Sequence, residues 1–285
     1  MQRNIIDSHT HVWNRSRHPQ PWIDSSMSPI NRDFSAEDLR SALSGVASAG
    51  LQVCKAVIVQ AVNSDQETDD LLAAASEAGI DGVVGWVDVA SDDLSDVLDR
   101  RRADPAGKLV GLRHLAHLDP DPDWLGRSDV ARGLTTIGNH GLPFDVVIRH
   151  WQLSAASKAI ASKPEVSFVL NHLGKPPIAS GDLSAWSSDL RALADCPNTV
   201  AKLSGLTIEA NWKSWTYEEV AAVMDTALEA FGADRLMFGS DWPLVRLTGG
   251  YHSWLETYLQ WSSSLSPSEQ EALDRGTAAA TYGIG

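Results

Sequence analysis

The stretch Ile5-Ile6-Asp7-Ser8-His9-Thr10-His11 is a short apolar run that ends in two histidines one residue apart. In an extended strand alternate side chains share a face, so His9 and His11 point the same way and can converge on one ion or one substrate. Two surface histidines on an N-terminal strand would read the same, so the rest of the chain has to decide. Two later stretches share the grammar of an apolar run ending in polar residues: Val169-Leu170-Asn171-His172-Leu173-Gly174-Lys175, and Arg235-Leu236-Met237-Phe238-Gly239-Ser240-Asp241-Trp242-Pro243.

The first strand is followed by a long segment over 12–33 with tryptophans and prolines but no helical period, which reads as a lid or binding loop. Ser35 then caps a helix expected to reach position 49, with Gly50 as its stop. The same strand-then-helix unit recurs. Strands are expected over 53–61, 83–89, 109–115, 144–150, 166–172, 199–204 and 236–241. Helices are expected from a Ser64/Glu67 capping box to Gly79, over 91–103, up to 138, and over 154–162, 183–194, 216–232, 251–262 and 266–274. Strands apolar on both faces imply parallel strands covered by helices. A count of eight favours an α/β fold of the closed (β/α)8 barrel type over an open sheet. No glycine-rich phosphate loop follows the first strand, which weakens a dinucleotide-binding alternative.

A chain of 285 residues, 43% hydrophobic, is ample for a large core, and its formal net charge of −14 argues against nucleic acid or an anionic membrane as partner. Cys54 and Cys196 lack metal-knuckle or redox spacing and read as buried thiols. No apolar run approaches bilayer-spanning length, and a first strand beginning by Ile5 leaves no room for a signal peptide, so a cytoplasmic location is expected. A homo-oligomer is left open.

In such a barrel the site is built at the C-terminal strand ends. Polar residues accumulate there: His9 and His11 after strand one, Gln60 and Asn63 after two, Asp88 near the end of three, Arg113 and His114 at four, Arg149 and His150 at five, His172 at six, Ser204 at seven and Asp241 at eight. Core packing does not explain polar residues in nearly every unit.

With these motifs assembled, the chain resembles the amidohydrolase superfamily, in its branch of small single-domain hydrolases that includes sugar-acid lactonases. The resemblance rests on Asp7-x-His9-x-His11, Asn171-His172-x-Gly174-Lys175-Pro176, Gly239-Ser240-Asp241-Trp242-Pro243, Gly111-Leu112-Arg113-His114, Lys202-Leu203-Ser204-Gly205 and Gly85-Trp86-Val87-Asp88. It covers essentially the whole chain, so 1–285 is read as one domain. It implies a hydrolase in which His9, His11, His172 and Asp241 surround the reacting carbonyl.

Those four side chains suit a single divalent ion, zinc first, with a position left for water. The two-metal members place a bridging lysine or glutamate at the end of the fourth strand. Here Arg113-His114 stand there, which disfavours a bridged pair. The same constellation can also work without an ion, because a lactone is an activated ester and the imidazoles and Arg113 can stabilise the oxyanion. In either version Asp241 is the expected general base, with His172 and Arg113 as catalytic partners. The expected substrate contacts are Trp13, Trp86, Trp151 and Trp242, whose flat faces suit a polyhydroxylated ring, together with Gln60, His114 and Lys175. His18, His117, His140 and His252 fall in loops or helices and are expected at the surface. The expected substrate is a small sugar-acid lactone. A metal-dependent decarboxylase of the same superfamily and a non-catalytic sugar-binding barrel are the rival readings.

Overall fold

A computed structural model describes residues 3–47, 51–103 and 107–285. The expected helix stop at Gly50 lies outside them. Eight strands alternate with helices: β1 (Arg3–Thr10), α1 (Ala36–Gly45), β2 (Leu51–Val59), α2 (Asp65–Ala78), β3 (Gly82–Gly85), α3 (Leu94–Arg102), β4 (Leu109–His114), α4 (Ser128–Asn139), β5 (Phe144–Val146), α5 (Leu153–Ala161), β6 (Phe168–Leu170), α6 (Ser184–Ala194), β7 (Thr199–Leu203), α7 (Tyr217–Phe231) and β8 (Leu236–Phe238). Three helices follow, α8 (Gly250–Ser262), α9 (Pro267–Glu271) and α10 (Thr277–Tyr282), the last two joined by a π-helical turn over Ala272–Gly276.

The strands pair in sequence order and all in parallel, as the apolar runs predict. The ring closes between its ends: Asp241 N donates to His9 O at 2.8 Å and His11 N to Trp242 O at 2.6 Å. Asp7 fastens the seam from below. Its Oδ1 accepts from the His9 and Ser240 amides, and its Oδ2 from the Tyr251 hydroxyl of α8. The fold is a (β/α)8 barrel.

Apolar side chains fill two layers. Ile6, Val57, Val59, Val84, Val110, Val169 and Met237 pack inside the barrel, where α10 contributes Ala278 and Tyr282. The larger layer lies between sheet and helices and includes Ile5, Ile58, Leu112, Phe144, Phe168 and Phe238.

Irregularities in β1 have consequences. Ile5 pairs with Val53 and Ile6 with Lys55, so Cys54 has no partner across the ladder and is exposed, contrary to the buried thiol expected; Cys196 is buried. A second shift, between Asp7 and Thr10, breaks the simple alternation that put Ile6 inside. That extra residue lets His9 and His11 face the barrel interior as well.

Capping boxes form at Ser35/Asp38, Thr216/Glu219 and Ser266/Glu269. Ser64 does cap α2, but the Glu67 carboxylate turns away from it to accept from the amides of Ala61 and Val62, so the expected box is half formed. After β4 the chain makes two 3-10 turns before α4 starts at Ser128. Among the described residues no helix is long and apolar enough to cross a membrane.

Candidate active site

At the C-terminal end of the barrel, the tip of β1 and the loop after β8 bring three side chains together. His9 Nε2 lies 3.2 Å from His11 Nε2, and Asp241 Oδ1 lies 3.3 Å from His11 Nε2 and 3.7 Å from His9 Nε2. The His172 ring, from the turn after β6, sits against His9 at a centroid distance of 4.5 Å, and its Nδ1 is 2.9 Å from the Ser204 hydroxyl. All four residues are buried.

The loops reach these positions through unusual backbone. His172, Leu173 and Lys175 have φ of 53°, 50° and 56°, with Gly174 between them at 70°, and Asp241 has φ 57°. Left-handed conformation is costly for residues with a Cβ and persists where the surroundings over-determine it. Gly205, at φ +63°, explains part of that packing. A Cβ there would fall 2.6 Å from His172 Nδ1 and 2.8 Å from Asp241 Oδ2, so both functional side chains can pack against position 205 only because it has none.

Burial decides the charge states. It holds the His9 imidazole well below its ordinary value, helped by the nearby Lys202 ammonium, lowers His11 despite Asp241 beside it, and pushes His172 down to about 3. Three neutral imidazoles result. Burial acts to raise the Asp241 carboxyl, yet the net shift is to below the usual carboxylate value, with the Lys175 ammonium the lasting positive charge among its neighbours, so it is ionised at neutral pH. Burial lowers Arg113 to about 10, which leaves it charged.

Proton positions follow from the partners. His11 Nδ1 lies 2.6 Å from the Val59 carbonyl, which can only accept, so Nδ1 carries the proton and Nε2 presents a lone pair. That lone pair faces the Asp241 carboxylate, whose Oδ1 is buried without a hydrogen-bond donor. Both groups call for a positive partner between them. His9 is flanked by two cations, Lys202 Nζ at 3.4 Å from Nδ1 and Arg113 Nη1 at 3.3 Å from Nε2.

Beneath lies a buried polar network. Arg113 donates to Asn171 Oδ1 and the Gln60 carbonyl, Asn171 and Lys202 both donate to Asp145 Oδ2, and the Tyr282 hydroxyl donates to Asp145 Oδ1. Arg113 thus bonds an amide oxygen and a main-chain carbonyl rather than a carboxylate.

Above the cluster a cavity of about 370 Å³ is lined by His11, Trp13, Arg113, His172, Lys175 and Asp241 among the expected residues. His9 lies just behind this wall, fully buried. Gln60 is also buried, donating to the Arg113 carbonyl. Trp86 donates to His114 Nδ1, while His114 bonds Asp119 and stacks on Trp124 at 3.9 Å, all behind the wall. Trp242 is buried against Phe34, and Trp151 is 66% exposed outside the cavity. Arg149, expected at the end of strand five, lines the cavity as well, and the loops add Trp22 and Met27 from 12–33, His117, Glu209 and Trp212. Of the histidines expected at the surface, His18 is buried in a 2.7 Å pair with Asp70, and His117 is half-buried, its imidazole pushed down to about 2 by desolvation. Only His252 is largely exposed; His140 is half-buried against Thr136 and Asp99. Lone polar residues in loops carry no periodic signal that would have separated wall from surface.

Among the described residues, His9, His11 and Asp241 are the group whose ligand atoms all lie within 4.8 Å of one another. With the donor-less Asp241 oxygen and the His11 lone pair, this set fits a divalent cation. His172 lies beside the group, outside it. A parallel eight-stranded barrel with a histidine and aspartate cluster at its C-terminal mouth is the architecture of a barrel enzyme.

The chain belongs to the amidohydrolase family, whose model matches residues 6–284. It is 34% identical to an L-fucono-1,5-lactonase of Burkholderia multivorans over 98% of this chain and 96% of that one. It is also 34% identical to an L-fucono-1,5-lactonase of Burkholderia ambifaria, over 88% and 85%. Among solved structures, an amidohydrolase from Burkholderia multivorans with bound zinc superposes with a TM-score of 0.90 at 34% identity, covering all of both chains. The 2,6-dihydroxybenzoate decarboxylase from Rhizobium shares the fold alone, with a TM-score of 0.61 at 13% identity.

Proposed function

We propose that this protein opens the lactone ring of a sugar acid, with Asp241 as the general base. The observation that carries the reading is the Asp241 carboxylate itself: buried, ionised, lacking a donor to one oxygen, and facing the cavity among neutral imidazoles. Two lactonases at 34% identity support the same chemistry, whereas decarboxylases share only the fold.

Asp241 takes a proton from water as the water oxygen attacks the acyl carbon. The carbonyl oxygen becomes an oxyanion, for which Arg113 and a protonated Nε2 of His172 are the donors; His11 cannot serve, because its Nε2 proton is absent. The tetrahedral carbon then expels the ring oxygen, which receives the proton held by Asp241, and the product is a hydroxy acid. Trp13, Trp22 and Trp212 give the ring flat apolar faces. Trp151, outside the cavity, fits a role at the approach, while Trp86, His114, Gln60 and Trp242 act by holding the wall.

His9, His11 and Asp241 would hold a divalent ion, zinc foremost, which would polarise the carbonyl and acidify the attacking water. His172, expected as a fourth ligand, lies beside this set with its Nδ1 engaged by the Ser204 hydroxyl. Arg113 and Lys202 approach His9 so closely that an ion binds against two positive charges, and we take it as dispensable. The expected setting is a small-molecule substrate in the cytoplasm, and the charge of −14 disfavours a polyanionic partner.

The test is a pH-indicator assay of aldonolactones, beginning with L-fucono-1,5-lactone. Acid release well above spontaneous hydrolysis is expected. Decarboxylation without lactone opening, or binding without turnover, would replace the reading.

A further inference from the structure

The cavity wall carries a charged cluster centred on Glu209, a carboxylate the hydrolytic step does not use. Glu209, on the 3-10 turn after β7, accepts from Lys175 Nζ at 2.7 Å, and Arg149 Nη1 lies 3.8 Å from its other oxygen. The three residues come from the loops after β5, β6 and β7 and all line the cavity. The Glu209 and Lys175 side chains are only 15% and 13% exposed. An ion pair withdrawn this far from water recovers little net stability, so packing alone does not account for its place on the wall.

We propose that Glu209, flanked by Lys175 and Arg149, is the specificity-determining residue that reads a pair of adjacent ring hydroxyls on the lactone, an assignment that rests on the lactonase reading above. Each hydroxyl of a diol both donates and accepts. A carboxylate with about four lone-pair sites, one taken by Lys175, receives the two donated protons, and the spare donors of Lys175 and Arg149 supply the reciprocal bonds. Met27, Ile208, Leu244 and Leu247 elsewhere on the wall offer no such partners, so the ring has one favoured orientation. The turn that carries His172 also carries Lys175, three residues on and with the same positive φ. The distance between the reacting carbonyl and the diol contact is therefore set by one strained segment.

The experiment compares wild type with Glu209→Gln on L-fucono-1,5-lactone and on δ-valerolactone, a six-membered lactone without hydroxyls. Glu209→Gln is expected to lower kcat/KM for the sugar lactone about 10- to 100-fold, almost wholly through KM, and to leave δ-valerolactone within about threefold. Arg149→Met, which removes the other flanking cation without touching the groups around Asp241, should show a smaller loss of the same kind, and stands in should the first variant fail to fold. Equal losses on both lactones would mean a structural role and overturn the proposal, as would unchanged KM for the sugar lactone. Tighter binding of a dicarboxylate by Glu209→Gln, with sugar-lactone KM unmoved, would make the cluster an anion clamp instead. A wild type that opens no lactone at all would overturn the lactonase reading itself, an outcome distinct from these.

Discussion

Asp241 combines three features that rarely coincide for a structural aspartate: positive φ, burial, and an oxygen without a donor. Each costs free energy, and surrounding structure has to offset them. Asp241→Asn keeps the shape and removes the base, so kcat on the sugar lactone should fall about a thousandfold with little change in thermal midpoint. Steady-state kinetics beside a melting curve checks both halves; a loss under tenfold would assign the base elsewhere. The cations around His9 lead to a second expectation. If an ion enters only against Arg113 and Lys202, chelation should lower the rate by less than about tenfold, because the donors that stabilise the oxyanion belong to the chain. Metal analysis of the chelated sample must accompany the rate. Complete loss, restored by zinc, would make the ion obligatory.

At the scale of elements, apolar runs and caps made the alternation of strands and helices legible, since both depend on local periodicity. The pairing of His9 with His11 was legible for the same reason. Which way the pair faces was not, because the shift in β1 depends on its neighbour β2. Nor were Glu209, Met27 and His117, which reach the cavity from loops whose course is set by long-range contacts. Glu67 shows the limit most clearly. Its spacing from Ser64 reads as a capping box, but the carboxylate instead holds the Ala61 and Val62 amides of the loop leaving β2, with its other oxygen unpartnered. Burial raises this carboxyl to about 7, from an ordinary value of 4.5. A raised value means the protonated form is favoured on folding, so the contribution is fully present below about pH 4.5 and is lost as pH rises through 7. Relative to Glu67→Gln, wild type should therefore lose roughly 2–3 kcal/mol between pH 5 and pH 8. Urea unfolding of both proteins at the two pH values measures the difference; parallel curves would mean that Glu67 titrates normally.

For the whole molecule, closing the barrel and assembling the site are one event at one end of β1 and separate events at the other. At the lower end Arg3 bonds Asp274 through Nε and Nη2, at 2.8 and 2.6 Å, and Tyr258 donates to the same carboxylate, so the start of β1 is tied to the C-terminal helices far from the mouth. At the upper end Asp7 ties β1 to Ser240 and Tyr251, one residue from Asp241 and two from His9. In a barrel of this kind the lower face serves stability and the upper face function. Asp7→Ala strands two buried amides and a phenol, and should cost about 3 kcal/mol or more. Because the stranded amides belong to His9 and Ser240, kcat should fall as well, even at temperatures where the variant is fully folded. Arg3→Ala leaves Asp274 with Tyr258 as its partner and should lower the thermal midpoint while kcat stays within about twofold. Comparing the two at a temperature well below both midpoints separates clasp from catalysis. Equal kcat losses would mean that the site depends on closure anywhere along β1 rather than on the seam beside Asp241.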